Sequence, residues 1–224
     1  MSDDTRDDTS ADTSADTSDD FKTNSADAGD LTVDQQTFLA ADAALREVID
    51  QLTPAQLKLA VPAEWSSNKT PDLSGILANH AKDEAWVPDV IAGKTIGEVG
   101  DKWSGDLLGS DSIGSYDKLN DLATAAVSKP IAEGQIAHLS YGDFPVEDFL
   151  QHTSYYRGFQ APLIAKLAGI PFSMSDNLID LLWSSVEPQI DQLRALHVFG
   201  PPVEAPDDAD RETLLLCMTG FWRP

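Results

Sequence analysis

The chain has 224 residues, 42% of them apolar, with 38 acidic against 15 basic side chains and a formal net charge of -23. This is enough for one domain with a tail, or two small domains, around a sizeable core. Such acidity repels phosphate backbones, no stretch approaches the roughly 18 apolar residues of a membrane span, and no basic region precedes an apolar run, so nucleic-acid binding, a membrane role and a secretory signal are not expected.

A single cysteine, Cys217, has no partner for an internal disulfide. These features together predict a soluble cytoplasmic protein. Asp outnumbers Glu. That balance is found in proteins from salt-rich cytosols, where surface carboxylates keep a protein in solution. An ordinary acidic bacterial protein is the other reading.

Residues 1–30 hold ten Asp, one Phe and no Val, Ile or Leu, and repeat with a period of four from Asp3 to Ser18. Such a segment buries too little to offset the entropy of ordering, so a disordered acidic tail is expected, with solvation as its role.

Thr32 and Gln35 form a capping box. It predicts a helix to about Leu52 with Phe38, Ala41, Leu45, Val48, Ile49 and Leu52 inward. Thr53-Pro54 restarts a short helix that Pro62 ends. Thr70-Pro71 is expected to start the next helix in the same way. Its inner stripe is Leu73, Ile76, Leu77, His80, Glu84 and Val87, so His80 sits on an apolar face. A lone His there is commonly a satisfied core residue.

Residues 94–112 read as a long connection pinned by Trp103 and Leu107-Leu108. A helix from about Ile113 to Val127 should turn Tyr116, Leu119, Leu122, Ala123 and Ala126 inward, with Pro130 ending it. Ile136 to Phe144 reads as extended loop with His138 exposed.

From about Val146 a long helix runs to Gly169, its C-cap. Phe149, Tyr156, Leu163 and Leu167 make an apolar stripe, and His152, Tyr156 and Gln160 lie in it one turn apart. Three polar, coordinating groups therefore point where a core should be. Pro162 predicts a kink or break at 158–162.

Ser175 caps a further helix with Leu178, Leu181, Leu182, Val186, Ile190 and Leu193 apolar, kinked at Pro188. A last short helix should begin at Asp208 or Ala209. No period-two run is long enough for a sheet. The expected class is all-α, a four-helix bundle over 31–170 with a C-terminal helical extension over 171–224 packed on it.

The run Leu52-Thr-Pro-Ala-Gln before Pro62 and Trp65, the set Asp72-Leu73, Leu77 and His80, the string Gly142-x-x-Pro145, Leu150 and Ala165-x-x-Ala168-Gly169, and the ending Gly220-x-x-Arg223-Pro224 together resemble the DinB-like/YfiT-like superfamily. Its mycothiol-dependent maleylpyruvate isomerase-like branch is the most similar. The resemblance covers most of 31–224 and implies a DinB-like four-helix bundle carrying a divalent metal, zinc or similar, at three ligands. His80 matches the ligand of the second helix.

In the isomerase-like register the other two positions are Tyr156 and Gln160. In the DinB-like register, read on His152-Thr-Ser-Tyr-Tyr-Arg157-Gly158, they are His152 and Tyr156. Glu84 offers a carboxylate one turn after His80. The resemblance thus implies His80, His152 and Tyr156 as metal ligands and a low-molecular-weight thiol as cofactor, with Arg157 and Gln160 beside the site to hold cofactor or substrate.

Zinc prefers thiolate, imidazole or carboxylate, so Tyr156 and Gln160 depart from the pattern. Two functions are therefore expected. One is a metal- and thiol-dependent isomerase or transferase, in which the metal activates the thiol for attack on an electrophile. The other is a metal-free bundle that binds a small ligand or regulates, with His80, His152, Tyr156 and Gln160 forming a hydrogen-bonded network. A homodimer is among the states the resemblance allows. Cys217, in Leu-Leu-Leu-Cys-Met, reads as core. Arg157 reads more readily as a surface ion pair than as a carboxylate binder.

Overall fold

The structure, a computed structural model, describes residues 31–65 and 70–222. The expectations for residues 1–30, for the rest of the loop after Trp65 and for the Arg223-Pro224 ending lie outside the described residues.

The protein is mostly helical with one small hairpin. α1 spans Val33–Ile49, α2 Leu73–Ile91, α3 Ile96–Val99, α4 Ser112–Val127, α5 Val146–Ala168, α6 Asp176–Val186, α7 Ile190–Ala195 and α8 Arg211–Thr219. The α1 capping box forms as expected, with the Thr32 side chain accepting from the Gln35 backbone and the Gln35 side chain accepting from the Thr32 backbone. All six residues expected on the inner face of α1 are buried. The Gln35 side chain reaches on to the Lys129 carbonyl at 2.8 Å and ties the start of α1 to the end of α4.

Thr53 and Gln56 cap only a single 3-10 turn, Gln56–Lys58. Asp72, not Thr70, is the N-cap of α2, its carboxylate accepting from the Gly75 N–H at 3.1 Å. Asp is the stronger cap, so the helix begins two residues later than the Thr-Pro pair suggests. The α2 stripe is inward throughout, including His80 and Glu84. In α4, Leu122 is exposed, contrary to expectation, because Leu119, Ala123 and Val127 already fill the face turned to its neighbours.

The segment read as loop after Pro130 holds an antiparallel hairpin, β1 (Ile136–Leu139) and β2 (Gly142–Pro145), joined by Ser140-Tyr141. His138 faces Asp143 across it, and its Nδ1–H donates to the Asp143 carboxylate at 2.8 Å. That contact makes His138 half-buried rather than free.

β2 leads straight into α5, which runs as one helix through Pro162, so of the kink or break expected there the break does not occur. Gly169 closes it in the left-handed conformation. α6 stops at Val186. Glu187–Gln189 form a 3-10 turn with Pro188 near its start, and α7 follows as a separate helix. α8 starts at Arg211 with Asp210 as cap, slightly later than read from sequence.

α1 lies along α5 and also meets α4 and α6, while α2 lies along α4. The larger core runs through Leu45, Ile76, Tyr116, Phe159, Leu182 and Leu215, so α6 and α8 share it with α1, α2, α4 and α5. A smaller core at the hairpin end holds Phe38, Val87, Val127, Val146 and Leu150. Among the described residues no helix is long and apolar enough to cross a membrane.

Candidate functional site

His80 is fully buried on the inner face of α2. Facing it from α5, Gln160 holds its Oε1 2.9 Å from His80 Nε2, while Gln160 Nε2 donates to the Trp65 carbonyl at 3.0 Å. A carbonyl can only accept, so the Trp65 contact fixes which way the amide points. His80 must then donate from Nε2, and its Nδ1 carries the lone pair. Burial drives the His80 pKa down to about 3, against the opposing effect of the Gln160 bond, and the nearby Arg157 charge adds a lesser lowering. The imidazole is neutral at any working pH. Its Nδ1 has no hydrogen-bond partner among the described residues.

Tyr156 stacks on His80, ring centroids 4.2 Å apart and planes 23° from parallel. Burial raises its phenol pKa, and the Asp83 charge adds to this, so the hydroxyl stays protonated. His152, one turn before Tyr156, is exposed. The expectation that all three polar groups of the stripe point into a core therefore fails at its first member. At that level α5 faces an opening rather than another helix.

The opening is a cavity of about 280 Å³ between α5, the Trp65 turn and the segments following α7 and α8. Its aromatic wall is a connected set. Phe159 stacks on Phe221 at 5.3 Å and meets Phe199 edge-on at 5.3 Å, and Phe199 meets Tyr155 at 5.4 Å. The Tyr155 hydroxyl is held by Ser185 and Gln189 at 2.7 and 3.0 Å. His152, Tyr156 and Gln160 supply polar atoms to the lining. Sequence reading missed Phe199 and Phe221, which lie outside any periodic stripe, and gave Trp65 no part in the site.

Arg157 is neither at the surface nor in this cavity. One residue on from Tyr156, its side chain points about 100° further round the helix, into the interface with α1 and α2. There it is fully buried, with Nε 3.2 Å from Asp42 and 2.9 Å from Glu84, and Nη1 donating to the Thr153 carbonyl at 3.2 Å. The guanidinium also lies 4.7 Å from the Phe38 ring centre.

Tyr116 from α4 approaches Glu84 at 3.5 Å, and Thr124 donates to the far oxygen of Asp42 at 2.8 Å. α1, α2, α4 and α5 thus each contribute to one buried polar cluster. Glu84, the alternative carboxylate ligand, is committed to it. Its pKa rises to about 8, mainly through burial and further through the Asp42 carboxylate, while the Arg157 charge works the other way. Cys217 is buried, as expected of a core residue.

The metal implied by the resemblance can be tested against these groups. A metal on an imidazole nitrogen lies in the ring plane about 2 Å out, whereas a stacked phenol lies in a neighbouring, nearly parallel plane. The His80–Tyr156 stack therefore does not offer both donors to one ion. His80 Nε2 is spent on Gln160, Tyr156 is held neutral, and Glu84 faces Arg157. Among the described residues no group of three or more His, Cys, Asp or Glu side chains is placed to hold a metal. The residues do not fit the group. Compared with protein-family models, curated proteins and solved structures, the chain gives no match.

Proposed function

We propose that this protein is a metal-free helical bundle of DinB-like type that binds a small, largely aromatic, uncharged molecule in the cavity beside α5. The observation that carries the reading is the hydrogen-bonded chain at its polar end. His80 donates to Gln160 and Gln160 donates to Trp65, so the positions that would hold a metal hold each other instead. These two bonds fix the rotamers of His80 and Gln160, which shapes the pocket beside them. In this reading residues 31–170 form the bundle, 171–224 the extension that closes the cavity, and 1–30 a solvating tail.

The lining suits the ligand class. Six aromatic rings supply flat apolar walls, and the cavity is at the small end of the range for ligand sites. The Tyr156 hydroxyl makes no hydrogen bond to another described residue and offers a donor to a ligand carbonyl. Among the described residues the wall carries no lysine or arginine, so an unsaturated diacid of the kind a thiol-dependent isomerase would take meets no cationic side chain from them.

The test is metal loading followed by ligand titration. After incubation with zinc, nickel or iron and removal of excess, elemental analysis should find no bound metal, and a chelator should leave the melting temperature unchanged. Acetophenone or indole, titrated calorimetrically, should bind the unmodified chain, and Tyr156→Ala should weaken acetophenone more than indole. One equivalent of metal that is lost in both His80→Ala and His152→Ala would instead establish the metal-dependent enzyme.

A further inference from the structure

A second cavity, of about 310 Å³, lies on the other side of α2, between that helix, α3 and the hairpin. Two opposite charges line it, Lys82 and Asp83. Neither makes a hydrogen bond or close ion pair with another described residue. Neighbours on a helix point about 100° apart, which keeps the ammonium and carboxylate from pairing with each other.

Asp83 is half-buried, and burial raises its pKa while the charges of Arg157 and Lys82 oppose the rise. It is a poorly solvated carboxylate without a bonded cation. Around the two charges the wall is apolar and aromatic, with Trp86 and Leu139 on the inside and Tyr141 at the hairpin turn. His138 completes it. Its Nδ1–H is given to Asp143 at 2.8 Å, so in the neutral ring Nε2 is left as an acceptor.

We propose that this cavity binds a small zwitterion, a free amino acid with an apolar side chain. Asp83 takes the ammonium group, with His138 Nε2 accepting a further N–H. Lys82 takes the carboxylate. Trp86, Leu139 and Tyr141 enclose the side chain. A ligand carrying both charges satisfies both unpaired groups at once, which neither a plain amine nor a plain acid does. An acid would also have to enter past the excess of negative charge the chain carries.

The experiment is calorimetric titration of the full chain with L-leucine and L-phenylalanine, alongside isoamylamine and phenethylamine, which lack the carboxylate. The amino acids should bind about tenfold more tightly than the matching amines. Asp83→Asn should weaken both kinds of ligand by at least about tenfold, and Lys82→Met should bring the amino acid down to the level of its amine without changing the amine. Leu122→Ala, on the exposed side of α4, should change nothing.

The comparison of amino acid with amine uses the unmutated chain and needs no variant to fold. The proposal is overturned by the absence of binding up to millimolar amino acid, by amines that bind as well as amino acids, by unchanged binding in Asp83→Asn, or by loss of binding in Leu122→Ala.

Discussion

Arg157 sits between two carboxylates, Asp42 and Glu84, and all three side chains are at most 1% exposed. One guanidinium cannot neutralise two buried carboxylates, so the cluster keeps a proton, and Glu84 has its pKa raised from 4.5 to about 8. A carboxyl whose folded pKa is raised favours the native state while protonated. Its contribution is complete below about pH 4.5 and is lost as pH rises through about 8. Glu84→Gln fixes the neutral form. Thermal unfolding of the two proteins from pH 5 to 9 should show the wild type losing stability relative to the variant as pH rises, by up to about 1.4 kcal/mol per pH unit. Parallel curves would mean that Glu84 is ionised throughout. The elements of this cluster were partly legible. Glu84 lies on the stripe read for α2 and Arg157 is adjacent to the stripe of α5, whereas Asp42 was not singled out. What the sequence could not supply is which side of α5 each neighbour takes, because that depends on where α1 and α2 lie. Arg157 was therefore read as a surface residue, and His152, in register with Tyr156, as an inward one.

At the scale of elements, caps and stripes carried most of the reading. Thr32, Ser175 and Gly169 mark their helix ends as expected. The hairpin was not legible, because Ile136-Ala-His-Leu is too short to show alternation and Ser140-Tyr141 lacks the Gly or Asn of a typical two-residue turn. Its register is held instead by the His138–Asp143 pair and by the Val146 amide, which bonds back to Gln135. Two contacts between elements can be tested. A Cβ added at Gly158 would lie 3.0 Å from Leu182 and 3.5 Å from Ala41, so α5 packs closely against α1 and α6 there. Gly158→Val should cost about 1–3 kcal/mol in urea unfolding by forcing these helices apart. A neutral or stabilising result would show that α6 yields easily. Asp89, at the end of α2, accepts from Lys94, Lys102 and the Trp103 indole at 2.7 to 2.8 Å. Burial alone would raise its pKa, but these three bonds outweigh it and hold the carboxyl down to about 2. The anchor is present above the ordinary Asp pKa and fails only as pH falls towards about 2. Asp89→Asn should release the 94–112 connection. Hydrogen exchange should quicken there while α1 and α5 keep their protection, and unchanged exchange would mean that the buried Val99 and Leu108 pin the segment without it.

For the molecule as a whole, repulsion among carboxylates sets how it answers to salt. With 38 acidic and 15 basic side chains, most charged pairs at middle distance are like-signed. The favourable pairs are local, as where Arg46 meets Asp117 at 3.6 Å and Asp50 at 3.7 Å. Even there the carboxylates crowd one another, and the Asp50 pKa is raised, first by burial and then by Asp117. Asp34 on α1 behaves in the same way, raised by burial and then by Glu147 and Asp148 at the start of α5. Going from 0.1 to 1 M KCl shortens the screening length from about 10 Å to about 3 Å. That removes the long-range repulsion before it touches the contact pairs, so the melting temperature should rise. Asp34→Asn relieves one repulsive contact between α1 and α5, and should raise the melting temperature at low salt by more than at high salt. If salt lowers the melting temperature of the wild type, the attractive pairs dominate and the acidity serves solubility alone. If Asp34→Asn gains equally at both salt concentrations, its benefit comes from relieving desolvation rather than from the charges of Glu147 and Asp148.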